Sequence, residues 1–212
     1  MRRRPDRSFL QLSATALTVL MVVAGCESAP TRFYTLEAAA TADAPAASTR
    51  SLTIGLGPVS LAKYLDRSGV VKRESRYEVS VSELDKWAEP LDSLVPRVLA
   101  EGLSRHLGTS EVYVIPRPRP PAVDYQIEAE IQRFDAAASG TVELTALWEI
   151  YSPGRDDPLL IRRTNLREEV AGPGYAEVAA AMSRALEGLS AEMAQGLRTV
   201  GTVRPPARRP AP

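Results

Sequence analysis

Tyr125-Gln126-Ile127-Glu128-Ala129-Glu130-Ile131-Gln132 and, beyond Gly140, Val142-Glu143-Leu144-Thr145-Ala146-Leu147-Trp148-Glu149-Ile150 alternate apolar and polar side chains residue by residue. A period of two places Tyr125, Ile127, Ala129 and Ile131 on one face of a strand, and Val142, Leu144, Ala146, Trp148 and Ile150 on one face of the next. Gly140 suits the hairpin turn between them. A third run from about Leu159 to Val170 follows the turn residues 152–158. Three half-buried strands with short connections predict an antiparallel meander whose apolar face needs a cover.

Two helices are predicted to supply it. Leu91, Leu94, Val95, Val98, Leu99, Leu103 and Leu107 recur at spacings of three and four, the stripe of an amphipathic helix, and Gly108 is a natural stop. Pro96 fits only near the start of such a helix, which Ser93 as N-cap would arrange. After Gly172-Pro173-Gly174, a second helix is predicted from about Tyr175 to Leu197, with Val178, Met182, Ala185, Leu186, Leu189, Met193 and Leu197 as its buried stripe. Shorter strands are predicted at Leu52–Leu56, closed by Gly57-Pro58, at Arg76–Val81, at Glu111–Ile115 and in Phe33-Tyr34-Thr35-Leu36. Residues 64–76 read as a loop. The expected class is α/β of the α+β type: a mixed, mostly antiparallel sheet with two amphipathic helices packed on one face.

The N-terminus predicts where the domain works. Arg2, Arg3, Arg4 and Arg7 precede an apolar stretch of about 14 residues that ends in Val23-Ala24-Gly25-Cys26. The run is shorter than the ~20 residues of a membrane span, and Pro5-Asp6 after the arginines disfavours twin-arginine export. The pattern is that of a bacterial lipoprotein signal. Cys26, the only cysteine of the 212 residues, is the expected lipidation site, carrying S-diacylglycerol and an N-acyl chain and no other cofactor. Several acyl chains anchor stably where one is marginal. The expected organisation is a signal peptide over 1–25, an acylated N-terminus with a short strand and an Ala/Ser/Thr/Pro-rich tether over 26–50, one globular domain over 51–198 and a disordered Pro/Arg tail over 199–212.

Charge narrows the partners. The chain has 26 basic and 26 acidic residues; the signal holds four arginines and Asp6, so the mature part keeps 22 basic and 25 acidic. A net charge near −3 gives no footprint for nucleic acid, and the membrane contact is expected to be the lipid. Enzyme machinery is not evident. The single histidine, His106, is expected to meet the carbonyls at the end of the first helix. No Gly-x-Ser-x-Gly elbow is present, and Gly55-Leu56-Gly57 leads into Pro58 rather than into a phosphate-binding helix. Glu128 and Glu130 read as a solvated strand face, so the protein is expected not to be an enzyme or to bind a metal. Trp87, just before the first helix, reads as a hydrophobic staple or as an interface anchor. Asp66 and Arg67 read as a pair within their loop or as partner contacts.

Phe33-Tyr34-Thr35-Leu36, Ile54-Gly55-Leu56-Gly57-Pro58-Val59, Tyr64-Leu65-Asp66-Arg67, Trp87-Ala88-Glu89-Pro90-Leu91 and Val98-Leu99-Ala100-Glu101-Gly102-Leu103, together with the lipidation motif, resemble the PqiC-like family of ABC-type transport auxiliary lipoproteins. The resemblance spans about residues 20 to 197. Ser68-Gly69 stands where similar proteins carry a proline, and Pro96 where they carry a helix former. The resemblance implies a lipoprotein subunit of a mammalian-cell-entry (MCE) type intermembrane lipid transport system, associated with membrane integrity. Its implied partner is a periplasmic MCE-domain protein, and a ring of identical subunits is one implied assembly. Glu27, in place of the usual inner-membrane retention aspartate, implies the periplasmic face of the outer membrane. Tyr64, Leu65, Asp66, Arg67 and Trp87 are the expected partner-binding residues. The alternatives are a stand-alone periplasmic lipid-binding lipoprotein and an anchored hydrolase.

Overall fold

The computed structural model of the chain describes residues 29–38 and 52–202. The signal peptide, Cys26, residues 39–51 and the tail beyond 202 lie outside the described residues. Its elements are β1 (Arg32–Tyr34), β2 (Ile54–Leu61), a 3-10 turn (Lys63–Leu65), β3 (Gly69–Arg73), β4 (Val79–Trp87), α1 (Leu91–Leu107), β5 (Val112–Val114), β6 (Tyr125–Ala137), β7 (Thr141–Tyr151), β8 (Leu160–Glu169) and α2 (Tyr175–Thr202). From Arg32 onward they form one compact unit; residues 29–31 before it hold no helix or strand.

The meander organises the sheet. β6, β7 and β8 pair antiparallel along their length, with Ile127 opposite Ile150, Ala129 opposite Trp148 and Ala146 opposite Thr164. Paired residues share a face, so the two apolar rows merge into one buried surface. Trp148 lies fully inside it, and its Nε1–H donates to Thr164 Oγ1 at 3.0 Å. The alternation of β6 slips by one at Gln132, where a bulge separates Ile131 from Arg133. Beyond it Phe134 and Ala136 are the inward residues.

The other edge of β6 is shared. β2 runs parallel to its first half, and β3 runs parallel to its last two residues. β5 adds to β2 in parallel, β4 pairs antiparallel with β3, and β1 lies parallel to β4 at the margin. The eight-stranded sheet is mixed, with antiparallel pairing dominant in length, and the fold is α+β as the sequence predicts. Both helices pack with the sheet into one core cluster that includes Leu36, Leu99, Phe134, Trp148 and Leu189. Burial of each such side chain is worth about 1.5–3 kcal/mol.

Several local expectations change. Residues 69–73 form a strand instead of a loop, because the ends of β4 and β6 offer them ladder partners. Gly57-Pro58 does not close β2; it bends the strand between Leu56 and Val59, and β2 continues to Leu61. A Cβ on Gly57, at φ +135°, would sit 2.0 Å from the Ile115 carbonyl oxygen, so only glycine fits there. Helix α1 starts earlier than Ser93 predicts. Leu91 is buried and belongs to the stripe, so Pro90 is the N-cap and Pro96 falls inside the helix, where it cannot bond the Asp92 carbonyl. His106 does not cap its own helix: its Nε2 lies 2.8 Å from Glu187 on α2, which Arg105 also contacts. The two helices meet closely enough that a Cβ on Gly102 would stand 2.3 Å from Ser190 Oγ.

Candidate functional site

The edge of β6 is left open between β2, which ends beside Ile131, and β3, which begins to pair at Ala136. The chain crosses this gap as Ala62–Ser68, the segment carrying Tyr64-Leu65-Asp66-Arg67. Its 3-10 turn is closed by Leu65 N–H donating to Ala62 O at 2.9 Å. Leu65 points into the core and is buried. The end of β4 meets the crossing from the other side, with Trp87 N–H donating to Ser68 O at 2.8 Å. Two motifs twenty residues apart in sequence thus form one wall. They enclose a cleft of about 440 Å³ lined by residues 59–61, 63, 65–68 and 87–92.

Of the five residues expected to bind a partner, four line this cleft: Leu65, Asp66, Arg67 and Trp87. Only Asp66 and Arg67 are exposed. They do not pair through their side-chain charges. Arg67 Nη1 donates to the Asp66 backbone carbonyl at 2.8 Å, and the Asp66 carboxylate has no ion pair among the described residues. Lys63, Glu89 and Asp92 complete a rim of mixed charge over apolar walls. Trp87 is 4% exposed and belongs to the core cluster, so it shapes the cleft as a buried wall. Its Nε1–H is buried without an acceptor among the described residues, a condition that costs about 1–3 kcal/mol.

Tyr64 turns the other way. Its hydroxyl donates to Asp135 Oδ2 at 2.6 Å, and the Tyr64 phenolic oxygen accepts the Phe134 N–H at 3.4 Å. Asp135 has no exposed surface. Arg73 holds both its oxygens from β3, Nη2 at 2.9 Å from Oδ2, and Arg133 donates twice to Oδ1 at 3.1 Å. Arg133 also pairs with Glu143, which Arg167 reaches at 2.7 Å. Burial pushes the Asp135 carboxyl up, but the hydrogen bonds from Arg73 and Tyr64 and the charges of Arg133 and Arg73 outweigh it and hold it below the usual range. Burial, then the bond to Asp135, pushes the Tyr64 phenol up to about 12. The network pins the crossing segment to the sheet, so Tyr64 acts as a positioning residue. Nothing in the sequence reading singled out Asp135. The available signal is the slip in alternation after Ile131, which marks the bulge that hands the inward row to Phe134 and Ala136 and turns Arg133 and Asp135 to the opposite face.

Gly69 begins β3 directly after the crossing. A Cβ there would stand 2.1 Å from the Ser82 carbonyl oxygen, so no bulkier residue fits at this crossing. Among the described residues, no group of three or more His, Cys, Asp or Glu could hold a metal, and no helix is long and apolar enough to cross a membrane.

A family model described as "ABC-type transport auxiliary lipoprotein component" matches residues 34–194. No curated protein matches the chain. Two solved structures share the fold. A Xanthomonas campestris protein superposes with a TM-score of 0.68 at 18% identity, over 82% of this chain and 98% of its own. A protein described as uncharacterized superposes at 0.63 with 22% identity, over 80% of this chain and 99% of its own.

Proposed function

The chain belongs to the family of ABC-type transport auxiliary lipoprotein components, and from that premise we propose that it is a non-enzymatic docking subunit. In this reading acylated Cys26 holds the domain on the periplasmic face of the outer membrane. The cleft between the Ala62–Ser68 crossing and the start of α1 receives the periplasmic MCE-domain protein of an intermembrane lipid transport system. The observation that carries the reading is the joining of two separate motifs into one rigid cleft. Its wall is fixed by the Trp87–Ser68 bond, its crossing is held by the Tyr64–Asp135 bond, and the side chains left at its rim are Lys63, Asp66, Arg67, Glu89 and Asp92. A mixed-charge rim over an apolar floor suits a protein segment, where rim charges set register and the buried floor supplies affinity.

The cleft volume also falls in the range of small-ligand sites, roughly 300–1,000 Å³, which favours a stand-alone lipid-binding lipoprotein as the second reading. Capture from solubilised envelopes with the native lipoprotein, beside Cys26→Ala and Arg67→Glu variants, separates the two. Docking predicts an MCE-domain protein with the native and Cys26→Ala chains and its loss with Arg67→Glu. Lipid binding predicts co-purified phospholipid and no such protein.

A further inference from the structure

The anchor expected at Cys26 is followed by only five residues before β1 begins at Arg32. β1 is built into the sheet, with Arg32 opposite Asp85 and Tyr34 opposite Trp87, and Leu36 is fully buried beyond it. The segment 39–51 therefore follows the first strand and adds nothing to the reach of the anchor. Six residue steps at ~3.3–3.6 Å span at most about 20 Å, whatever path they take.

That length has a counterpart in the fold. β1 and β4 are parallel, so β1 enters the sheet from the side on which β4 begins. From Asp85 back to Val79 is also six steps, about 20 Å at strand rise, and the β3–β4 turn extends past Val79. The turn is closed by Glu74 N–H and Ser75 N–H on the Glu78 carbonyl at 3.0 and 3.3 Å. An anchor on so short a leash cannot hold the bilayer beyond the tip of this hairpin.

The surface there is unusual for this domain. Of the seven large apolar side chains exposed among the described residues, five lie on β1 and the β3–β4 hairpin: Phe33, Tyr77, Val79, Val81 and Leu84. Tyr77 at the tip is 89% exposed and Phe33 is 65% exposed. The Arg76 guanidinium lies 5.5 Å from the Tyr77 ring centroid. An amphipathic aromatic ring beside a guanidinium matches the headgroup boundary of a bilayer, apolar on one side and anionic on the other. We propose that the β3–β4 hairpin, led by Tyr77 and Arg76, is the surface on which the domain rests against the phospholipid bilayer. The proposal rests on acylation of Cys26. Arg73 is taken up by Asp135, and Glu74 and Glu78 more than offset Arg76 at the tip, so the contact is held by the anchor and the apolar side chains rather than by attraction to anionic lipid.

The test uses the acylated lipoprotein reconstituted in phosphatidylethanolamine/phosphatidylglycerol vesicles. Once Cys26 is acylated the chain has no free thiol, so an environment-sensitive fluorophore can be placed at Tyr77→Cys, at Phe33→Cys or, as control, at Ile161→Cys on β8. The proposal predicts a blue shift and a loss of roughly half the emission to bilayer-borne quenchers at 77, with neither at 161. Phe33→Cys supplies the same reading if the Tyr77 variant misfolds. Emission at 77 and 33 that matches 161 on a normally acylated, vesicle-bound chain would overturn the hairpin contact alone. A mature chain whose mass lacks the acyl groups would overturn the anchor and the contact together.

Discussion

The phenolic oxygen of Tyr64 lies 2.6 Å from Oδ2 of Asp135, a carboxylate with no exposed surface and with two arginines bound to it. This contact makes the Ala62–Ser68 crossing a fixed part of the sheet. A loop held this way can present Asp66 and Arg67 in one geometry, which lowers the ordering cost of binding a partner.

Asp135→Asn is expected to destabilise the fold by about 3–5 kcal/mol, because it leaves Arg73 and Arg133 facing a neutral group. Its pH signature is specific. The native carboxyl titrates below the ordinary aspartate range, so its stabilisation is complete above about pH 4. It is lost as the pH falls through the depressed native value. Denaturant melts from pH 7 to pH 2 should show a shallower acid limb for the variant.

Tyr64→Phe removes one hydrogen bond to a charged acceptor and should cost about 1.5–3 kcal/mol. The native phenol is raised to about 12, so the contribution is complete below about pH 10 and disappears as the pH rises through the native value. Wild-type and variant stabilities should converge in strongly alkaline melts. Weaker partner capture than for wild type at equal folded concentration would identify loop positioning as the residue's role.

Gly102→Ala separates packing from propensity. Helix propensity alone favours alanine by about 1 kcal/mol. The new Cβ would stand 2.3 Å from Ser190 Oγ on α2, and overpacking of this kind costs about 1–3 kcal/mol. The variant should melt lower than wild type; a higher midpoint would show that the helices can part without loss.

Trp87 and Arg67 should divide stability from binding. Trp87→Ala empties a buried site and should cost about 3–5 kcal/mol. Trp87→Phe should cost far less, since it also removes the unpaired indole N–H. Arg67→Glu, at an exposed rim position, should leave the melt within about 0.5 kcal/mol and abolish partner capture. Thermal unfolding beside capture of the partner reads both effects.

The meander, both helices and the α+β class are legible in the sequence because period-two and period-3.6 patterns survive wherever one face is buried. β3 is not: Val70 and Val71 stand alone among polar residues, and only the neighbouring ends of β4 and β6 make the segment a strand. The start of α1 is ambiguous in the sequence, since Ser93 offers a cap while Leu91, buried in the fold, already belongs to the stripe. The cleft was half legible. Leu65–Arg67 and Trp87 are both legible as candidates, but their meeting in one wall depends on the gap along β6. The counterpart of Tyr64 could not be read, since a lone aspartate in a strand carries no sign that two arginines will surround it.

The central claim, that this cleft docks the MCE-domain protein, is tested most directly by a photo-activated cross-linking residue placed at Arg67 in the acylated chain in intact cells, with Ile161 on β8 as the control position. Docking predicts an adduct containing an MCE-domain protein at 67 and none at 161. An adduct with that protein at 161 but not at 67, or none at either position while the chain is folded and membrane-bound, would contradict it.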